Sequence, residues 1–182
     1  MEENCEKDKN VNVEENLEIS VDSKSGLEVL KEDYAELEER FGLPSFDLMN
    51  RDFQIEKIQG EDTDFLLREV RKYVGDKFTS YLRFLETLIQ PNGSQAFVFM
   101  MLKSLDSDDM KKIREMYAKM ARKELELLEL DIEYNIEKEA EFVNTTFEMW
   151  KEIKEDLIFI MDKAKFNWDK SAPDMKKSHY YG

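Results

Sequence analysis

The sequence predicts an all-α protein: an antiparallel helical bundle of four to five helices, preceded by a disordered acidic segment. Three observations favour this fold class. Apolar residues recur every three or four positions over most of the chain, which is the spacing of one face of a helix. The 6 glycines and 3 prolines mostly stand where these patterns begin or stop. The 182 residues include 12 Phe, 7 Tyr and 2 Trp, whose side chains bury large areas in a core.

The charge and the cysteine content exclude several functional classes. The chain has 42 Asp and Glu against 27 Lys and Arg, a formal net charge of −15, one cysteine and one histidine. A single cysteine excludes an intrachain disulfide and a Cys-based zinc site. The histidine, His179, stands near the C-terminal end, which excludes Ser-His-Asp and Cys-His catalysis in the core. The composition therefore predicts a cytoplasmic protein without catalytic residues, cofactor or metal.

The N-terminal part begins with residues 1–24, which carry eight acidic groups and are predicted to be disordered. Ser25 and Glu28 have the form of a capping box, so the first helix is predicted to start there and to stop at Gly42. Apolar residues are frequent in the segment 43–60. This segment is therefore predicted to pack against the helices as a short helix followed by an extended piece.

The remaining chain of the domain 25–168 is predicted to hold its three longest helices, with the ranges 63–90, 108–134 and 136–168. A short helix, 96–102, is predicted between the first and the second of them. Joined into one, the last two would be about 90 Å long, whereas a compact chain of this size has a radius of gyration of about 15 Å. Tyr134 and Asn135 are therefore predicted to form a turn, and residues 169–182 are predicted to be a basic and aromatic tail. Gly75 is predicted to lie on the polar side of its helix, where it is either merely tolerated or lets another backbone approach closely.

The same spacing predicts which side chains turn inward. Phe147 and Trp150 belong to the inward stripe of the last helix. Leu125, Leu128 and Ile132 belong to a broad apolar face of the preceding helix, and this face is also predicted to be inward. The opposite stripe of that helix is charged.

A row of carboxylates along this charged stripe is a candidate partner-binding surface. Its members are Glu126, Glu129, Glu133 and Glu137. Carboxylates at these spacings share a helix face and repel one another mildly. Three interpretations stay open: a solvated surface, a dock for a basic partner, and a cation site. Calcium prefers six to eight oxygens from a shaped loop, which disfavours the cation site.

Two further segments are candidate partner-binding regions. The short helix 96–102 is apolar on nearly every side, so Phe97 and Phe99 are predicted to be buried or to contact a partner. The C-terminal stretch 163–182 combines five lysines with aromatic residues, three of which are predicted to fill a pocket of a partner or to stack on bases. These three residues are Trp168, Tyr180 and Tyr181. A tail that stays disordered or folds back on the helices is the other interpretation.

A basic cluster on the 108–134 helix indicates a different kind of partner. Its residues are Lys111, Lys112, Arg114, Lys119, Arg122 and Lys123. A local positive patch can neutralise phosphates, so a ribonucleoprotein- or ribosome-associated factor is an alternative function. The net charge of −15 steers nucleic acid away and counts against binding outside a ribonucleoprotein. A carboxylate-based metal-dependent enzyme is a further alternative.

Three stretches carry a resemblance to a known group of proteins: Leu37–Phe46, Phe53–Ile58 and Glu139–Phe142. They are similar to small acidic helical archaeal proteins of unassigned function, and the resemblance implies no activity and no site residue. The sequence therefore predicts a non-catalytic interaction protein that binds another macromolecule through helix faces or tails. The expected partner is a protein, not a membrane, and the oligomeric state is left open.

Overall fold

A computed structural model describes residues 24–60, 63–91 and 96–175, with side chains as far as residue 167. Every regular element of these ranges is helical, which confirms the predicted all-α class, although six α-helices are present where four to five were expected. The α-helices are α1 (Gly26–Phe41), α2 (Phe46–Phe53), α3 (Leu66–Ile89), α4 (Ala96–Ser104), α5 (Ser107–Ile132) and α6 (Ile136–Met175). A 3-10 helix, Ile55–Ile58, lies between α2 and α3.

The structure describes part of the predicted C-terminal tail but not the N-terminal segment 1–23. Residues 1–23, predicted to be disordered, lie outside the described residues. At the other end, α6 continues to Met175. The first part of the predicted tail, residues 169–175, therefore belongs to this helix, and residues 176–182 lie outside the described residues.

Side-chain caps set the predicted helix ends. The Ser25 hydroxyl accepts a hydrogen bond from the Glu28 backbone N–H at 3.3 Å, and the Glu28 carboxylate accepts one from the Ser25 N–H at 2.8 Å. Gly42 ends α1 in the left-handed region, with φ 62°. Asn135 caps α6, because its side-chain oxygen accepts from the Lys138 N–H at 2.9 Å. The capping box and the turn between α5 and α6 are confirmed.

The predicted extended piece after α2 is a turn of 3-10 helix instead. Gln54 ends α2 in the left-handed region, with φ 58°, and the Asn50 side chain accepts a hydrogen bond from the Glu56 N–H at 3.0 Å. This tight connection folds the chain back at once. Ile55 and Ile58 consequently both reach the core, since each is at most 2 % exposed.

Helix α3 is central to the core, where it packs against both α5 and α6. The Thr79 hydroxyl of α3 donates to the Glu124 carboxylate of α5 at 2.6 Å, and Arg71 pairs with Asp131 at 2.8 Å. Because residue numbers rise along α3 as they fall along α5, the two helices run in opposite directions. The same order relates α5 to α6, which are joined by the short connection 133–135.

The aromatic centre of the core lies on α6, as predicted. Phe147 and Trp150 are each 3 % exposed. The Trp150 ring centroid lies 6.0 Å from that of Phe53, 5.9 Å from that of Phe78 and 5.4 Å from that of Tyr81. One side chain therefore joins α2, α3 and α6.

Gly75 lies on the inward side of α3, so its predicted polar position is wrong. A Cβ atom at this residue would meet the Leu127 Cδ2 methyl at 2.8 Å, which is closer than real Cβ atoms approach a neighbour. The missing side chain therefore leaves the space in which Leu127 of α5 packs against the α3 backbone.

We expect Gly75→Ala to raise the free energy of unfolding by the full difference in helix propensity only when Leu127 is replaced by a smaller residue. Alanine is favoured over glycine in a helix by about 1 kcal/mol, but the added methyl must displace Leu127. In a Leu127→Ala background the gain should appear in full, whereas in the wild-type background it should be smaller or reversed. Urea denaturation of the four proteins measures this coupling. Equal effects of Gly75→Ala in both backgrounds would contradict the packing.

Candidate functional site

The C-terminal half of α5 exposes an apolar stripe. Leu125, Leu128 and Ile132 are 63 %, 52 % and 86 % exposed, so their predicted inward position is wrong. Helix α5 has two stripes of side chains at helical spacing. Helices α3 and α6 pack against one of these stripes and leave the stripe with Leu125, Leu128 and Ile132 exposed. The buried residues of α5 are Asp109, Ile113, Met116, Met120, Lys123 and Leu130.

The carboxylates predicted to bind a partner lie beside this stripe. Glu126, Glu129 and Glu133 line a cleft of about 490 Å³ between α5 and α6, and Glu141 of α6 joins them. Glu137 is exposed in the first turn of α6 and is not among the described residues that line the cleft. The structure thus brings together three of the four predicted residues and adds a fourth carboxylate.

Lys123 lies inside the cleft and not on a basic surface. Its side chain is 9 % exposed and contacts the Glu126 carboxylate. It also donates a hydrogen bond to the Thr145 hydroxyl at 2.9 Å, and its ammonium lies 5.6 Å from the centre of the Phe142 ring. That Lys123 binds nucleic acid stays a prediction, and its buried ammonium would have to leave these partners to contact a phosphate.

Carboxylates also pair with three other members of the predicted basic cluster. The pairs are Lys112–Asp156 at 3.6 Å, Lys119–Glu152 at 3.2 Å and Arg122–Glu126 at 3.8 Å between nitrogen and oxygen. Lys111 and Arg114 are exposed, and no ion pair of theirs is found within the described ranges. The members of the cluster without such a pair thus lie near the start of α5.

Helix α4 buries only part of its apolar surface. Val98 and Met101 are buried, whereas Phe97 and Phe99 are about half exposed. Phe97 and Met161 of α6 line an apolar cleft of about 260 Å³. Phe97 therefore lies at a concave apolar site.

The side chains of the three C-terminal aromatic residues predicted to contact a partner lie outside the described part of the chain. Position 168 belongs to α6, but the side chain of Trp168 lies outside the described residues, as do Tyr180 and Tyr181. Their role as partner contacts stays a prediction.

A buried ionic cluster, which the sequence patterns did not predict, joins α3, α5 and α6. Glu139 is fully buried, and its Oε1 lies 3.5 Å from Arg71 Nε and 3.6 Å from Arg68 Nε. Arg71 also lies 2.8 Å from Asp131 through Nη2. Burial raises the pKa of Glu139, while the charges of Arg71 and Arg68 act in the opposite direction.

This cluster holds the end of α5 that carries the exposed stripe. Asp131 stands between Leu130 and Ile132, so its pairing with the buried Arg71 fixes the last turn of the helix against α3. A signal for the cluster was present in the sequence: Arg71 and Glu139 occupy inward positions in two otherwise apolar helical patterns.

Neither a metal centre nor a membrane-spanning element is found in the part of the chain that the structure describes. No group of three or more His, Cys, Asp or Glu side chains there is arranged to hold a metal ion. Within the same ranges, no helix combines the length and the apolar character that crossing a bilayer requires. Comparison of the chain with protein-family models, with curated proteins and with solved structures gave no match.

Proposed function

We propose that this protein is a non-catalytic interaction protein, an antiparallel helical bundle that binds another macromolecule through the outer side of α5. The binding region, called the α5 surface, consists of Leu125, Leu128, Ile132, Glu129 and Glu133. The observation that carries this proposal is the exposure of three large apolar side chains at helical spacing. Burying one such side chain fully gains about 1.5–3 kcal/mol, which the isolated chain forgoes.

The chemistry of the α5 surface indicates what kind of segment it binds. Apolar residues spaced by three and four positions are recognised by another helix with the same spacing. Glu129 and Glu133, exposed beside the apolar stripe, favour Lys or Arg on that helix. Glu126 contributes less, because Lys123 and Arg122 already neutralise it. The fitting partner is therefore a basic amphipathic helix.

Two designed peptides with the same leucine face, one lysine-rich and one glutamate-rich, test this proposal. We expect the chain to bind the basic peptide and not the acidic one in fluorescence anisotropy. Glu129→Gln with Glu133→Gln should weaken binding about 10-fold, or about 1.4 kcal/mol. Leu128→Ser should weaken it independently of salt.

The matched control is Glu36→Gln with Glu39→Gln, which removes the same charge from exposed positions of α1. Because the chain is strongly acidic, a basic peptide is also attracted non-specifically. The control pair should change the affinity less than twofold. Equal losses in the two double variants would contradict a binding site on α5.

The alternative functions have less support. A ribonucleoprotein factor would use the basic cluster, of which Lys123 is buried and three other members are paired with carboxylates. No described arrangement of side chains favours a metal-dependent enzyme, which stays a prediction of the sequence.

A further inference from the structure

We infer that the α5 surface binds a second copy of this chain, with the two α5 helices antiparallel. This inference rests on the proposed function, since it names the partner of the same surface. It goes beyond that proposal because it identifies the partner helix as α5 itself. The N-terminal half of α5 carries basic and small side chains, which complement the acidic and large apolar side chains of the C-terminal half.

The outer side of α5 forms a continuous seam with the spacing of a coiled coil. Successive seam residues are separated by three and four positions in regular alternation. They are Lys111, Arg114, Ala118, Ala121, Leu125, Leu128 and Ile132. All are exposed except Ala121, which is half-exposed. The side chains of the seam are basic at its start, small in its middle, and large and apolar at its end.

This gradient is self-complementary under a two-fold axis. With the axis at the level of residue 123, Leu125 of one copy faces Ala121 of the other, and Leu128 faces Ala118. The two leucines thus lie over small side chains, as close packing between helices requires, and Ile132 faces Arg114. The same patch is used by both copies, which is the form of a closed dimer interface.

The charges of the seam select the antiparallel orientation. In that orientation Lys111 and Arg114 of each copy lie at the end of the seam where Glu129 and Glu133 of the other copy lie. All four are exposed, and no ion pair of theirs is found among the residues that the structure describes. A parallel pairing would instead place like charges together, which is destabilising.

The net charge of −15 per chain does not prevent this pairing at physiological salt. The Debye length is then about 8 Å, so repulsion between the remaining parts of the two copies is largely screened. Charges that touch across the seam are closer than this distance and still attract.

A charge-exchange experiment tests the inference by sedimentation equilibrium of the full chain at 0.15 M salt. We expect wild type to have twice the 21.7 kDa mass of one chain. Lys111→Glu with Arg114→Glu should raise the dimer dissociation constant at least 10-fold, and so should Glu129→Lys with Glu133→Lys. An equimolar mixture of the two variants should regain dimers, because opposite charges then meet at both ends of the seam.

Two further variants keep the result interpretable. Lys151→Glu with Lys165→Glu is the control for Lys111→Glu with Arg114→Glu. It changes the net charge by the same amount at exposed positions of α6 and should leave the dimer intact. Leu128→Ser removes an apolar contact without changing charge and should dissociate the dimer. Circular dichroism should show the same helical signal for all variants.

The outcomes separate this inference from the proposed function. A wild-type chain that is monomeric at several hundred micromolar, or a mixture that stays monomeric, would overturn the antiparallel dimer. Binding of the basic peptide by such a monomer would leave the proposed function standing. A monomer that also fails to bind the peptide would overturn both. Dimers insensitive to Leu128→Ser would place the interface elsewhere and overturn the inference.

Discussion

Trp150→Ala should lower the free energy of unfolding by about 3–5 kcal/mol, the cost typical of truncating a buried aromatic side chain. Trp150 is 3 % exposed, and its ring contacts Phe53, Phe78 and Tyr81 from two other helices. Truncation would leave a cavity where α2, α3 and α6 meet. Because a domain of this size has about 5–15 kcal/mol of stability, the loss should be a large part of the total.

Urea denaturation followed by circular dichroism measures this loss, and two substitutions on the same helix provide its controls. Trp150→Phe keeps a ring in the core and should cost clearly less than the alanine variant. Ile158→Ala truncates a side chain that is 52 % exposed, and its effect should stay within about 0.5 kcal/mol. If Trp150→Ala were as mild as Ile158→Ala, the aromatic centre of the core would be wrongly placed.

Arg71→Met should have an effect of similar size, about 3–5 kcal/mol, because it leaves a buried carboxylate without its nearest charged partner. Glu139 is fully buried, and Arg71 Nε lies 3.5 Å from its Oε1. Arg68, at 3.6 Å, is partly exposed and compensates incompletely. The variant also breaks the pair between Arg71 and Asp131, which should loosen the last turn of α5.

The loss should depend on pH in a defined direction. Burial raises the pKa of the Glu139 carboxyl above its usual range, and the Arg71 charge opposes this rise. Without Arg71 the pKa should rise further, so the folded state of the variant holds the Glu139 proton more tightly than the unfolded chain does. Its free energy of unfolding should therefore increase, relative to wild type, as the pH falls from 8 to 5.

Replacing both partners tests whether charge imbalance is the cause. Arg71→Met combined with Glu139→Leu should be more stable than Arg71→Met alone, since no unpaired buried charge remains. A loss that is the same at pH 8 and pH 5, and is not relieved by Glu139→Leu, would show that lost packing around Arg71 is the cause instead.

Local signals account for the features that could be predicted from the sequence. The capping box at Ser25 and the Asn135 cap each depend on hydrogen bonds to backbone groups three residues away. The all-α class follows from a spacing that persists over many turns of helix. Phe147 and Trp150 lie on the only broad apolar stripe of their helix, so their inward position needed no knowledge of neighbouring helices.

The candidate surface could not be predicted in the same way, because α5 carries two stripes with helical spacing. One contains Met116, Met120 and Lys123 and is buried, and the other contains Leu125 and Leu128 and is exposed. Hydrophobicity favoured the second stripe in the C-terminal half. In the folded protein the stripe with Met116, Met120 and Lys123 packs against α3 and α6 instead. Burial of Lys123 is tolerated there because its ammonium donates a hydrogen bond to Thr145.

The sequence by itself determined the helical class, most helix boundaries, the turn between α5 and α6, and the aromatic core of α6, because these depend on residues within a few positions of one another. Only the tertiary structure decided that Leu127 packs against Gly75, that Arg71 and Glu139 meet, and that α5 exposes Leu125 and Leu128. Each of these depends on which residues distant in the chain become neighbours. The interaction energies that decide them arise between helices and therefore cannot be predicted from the spacing of residues within one helix.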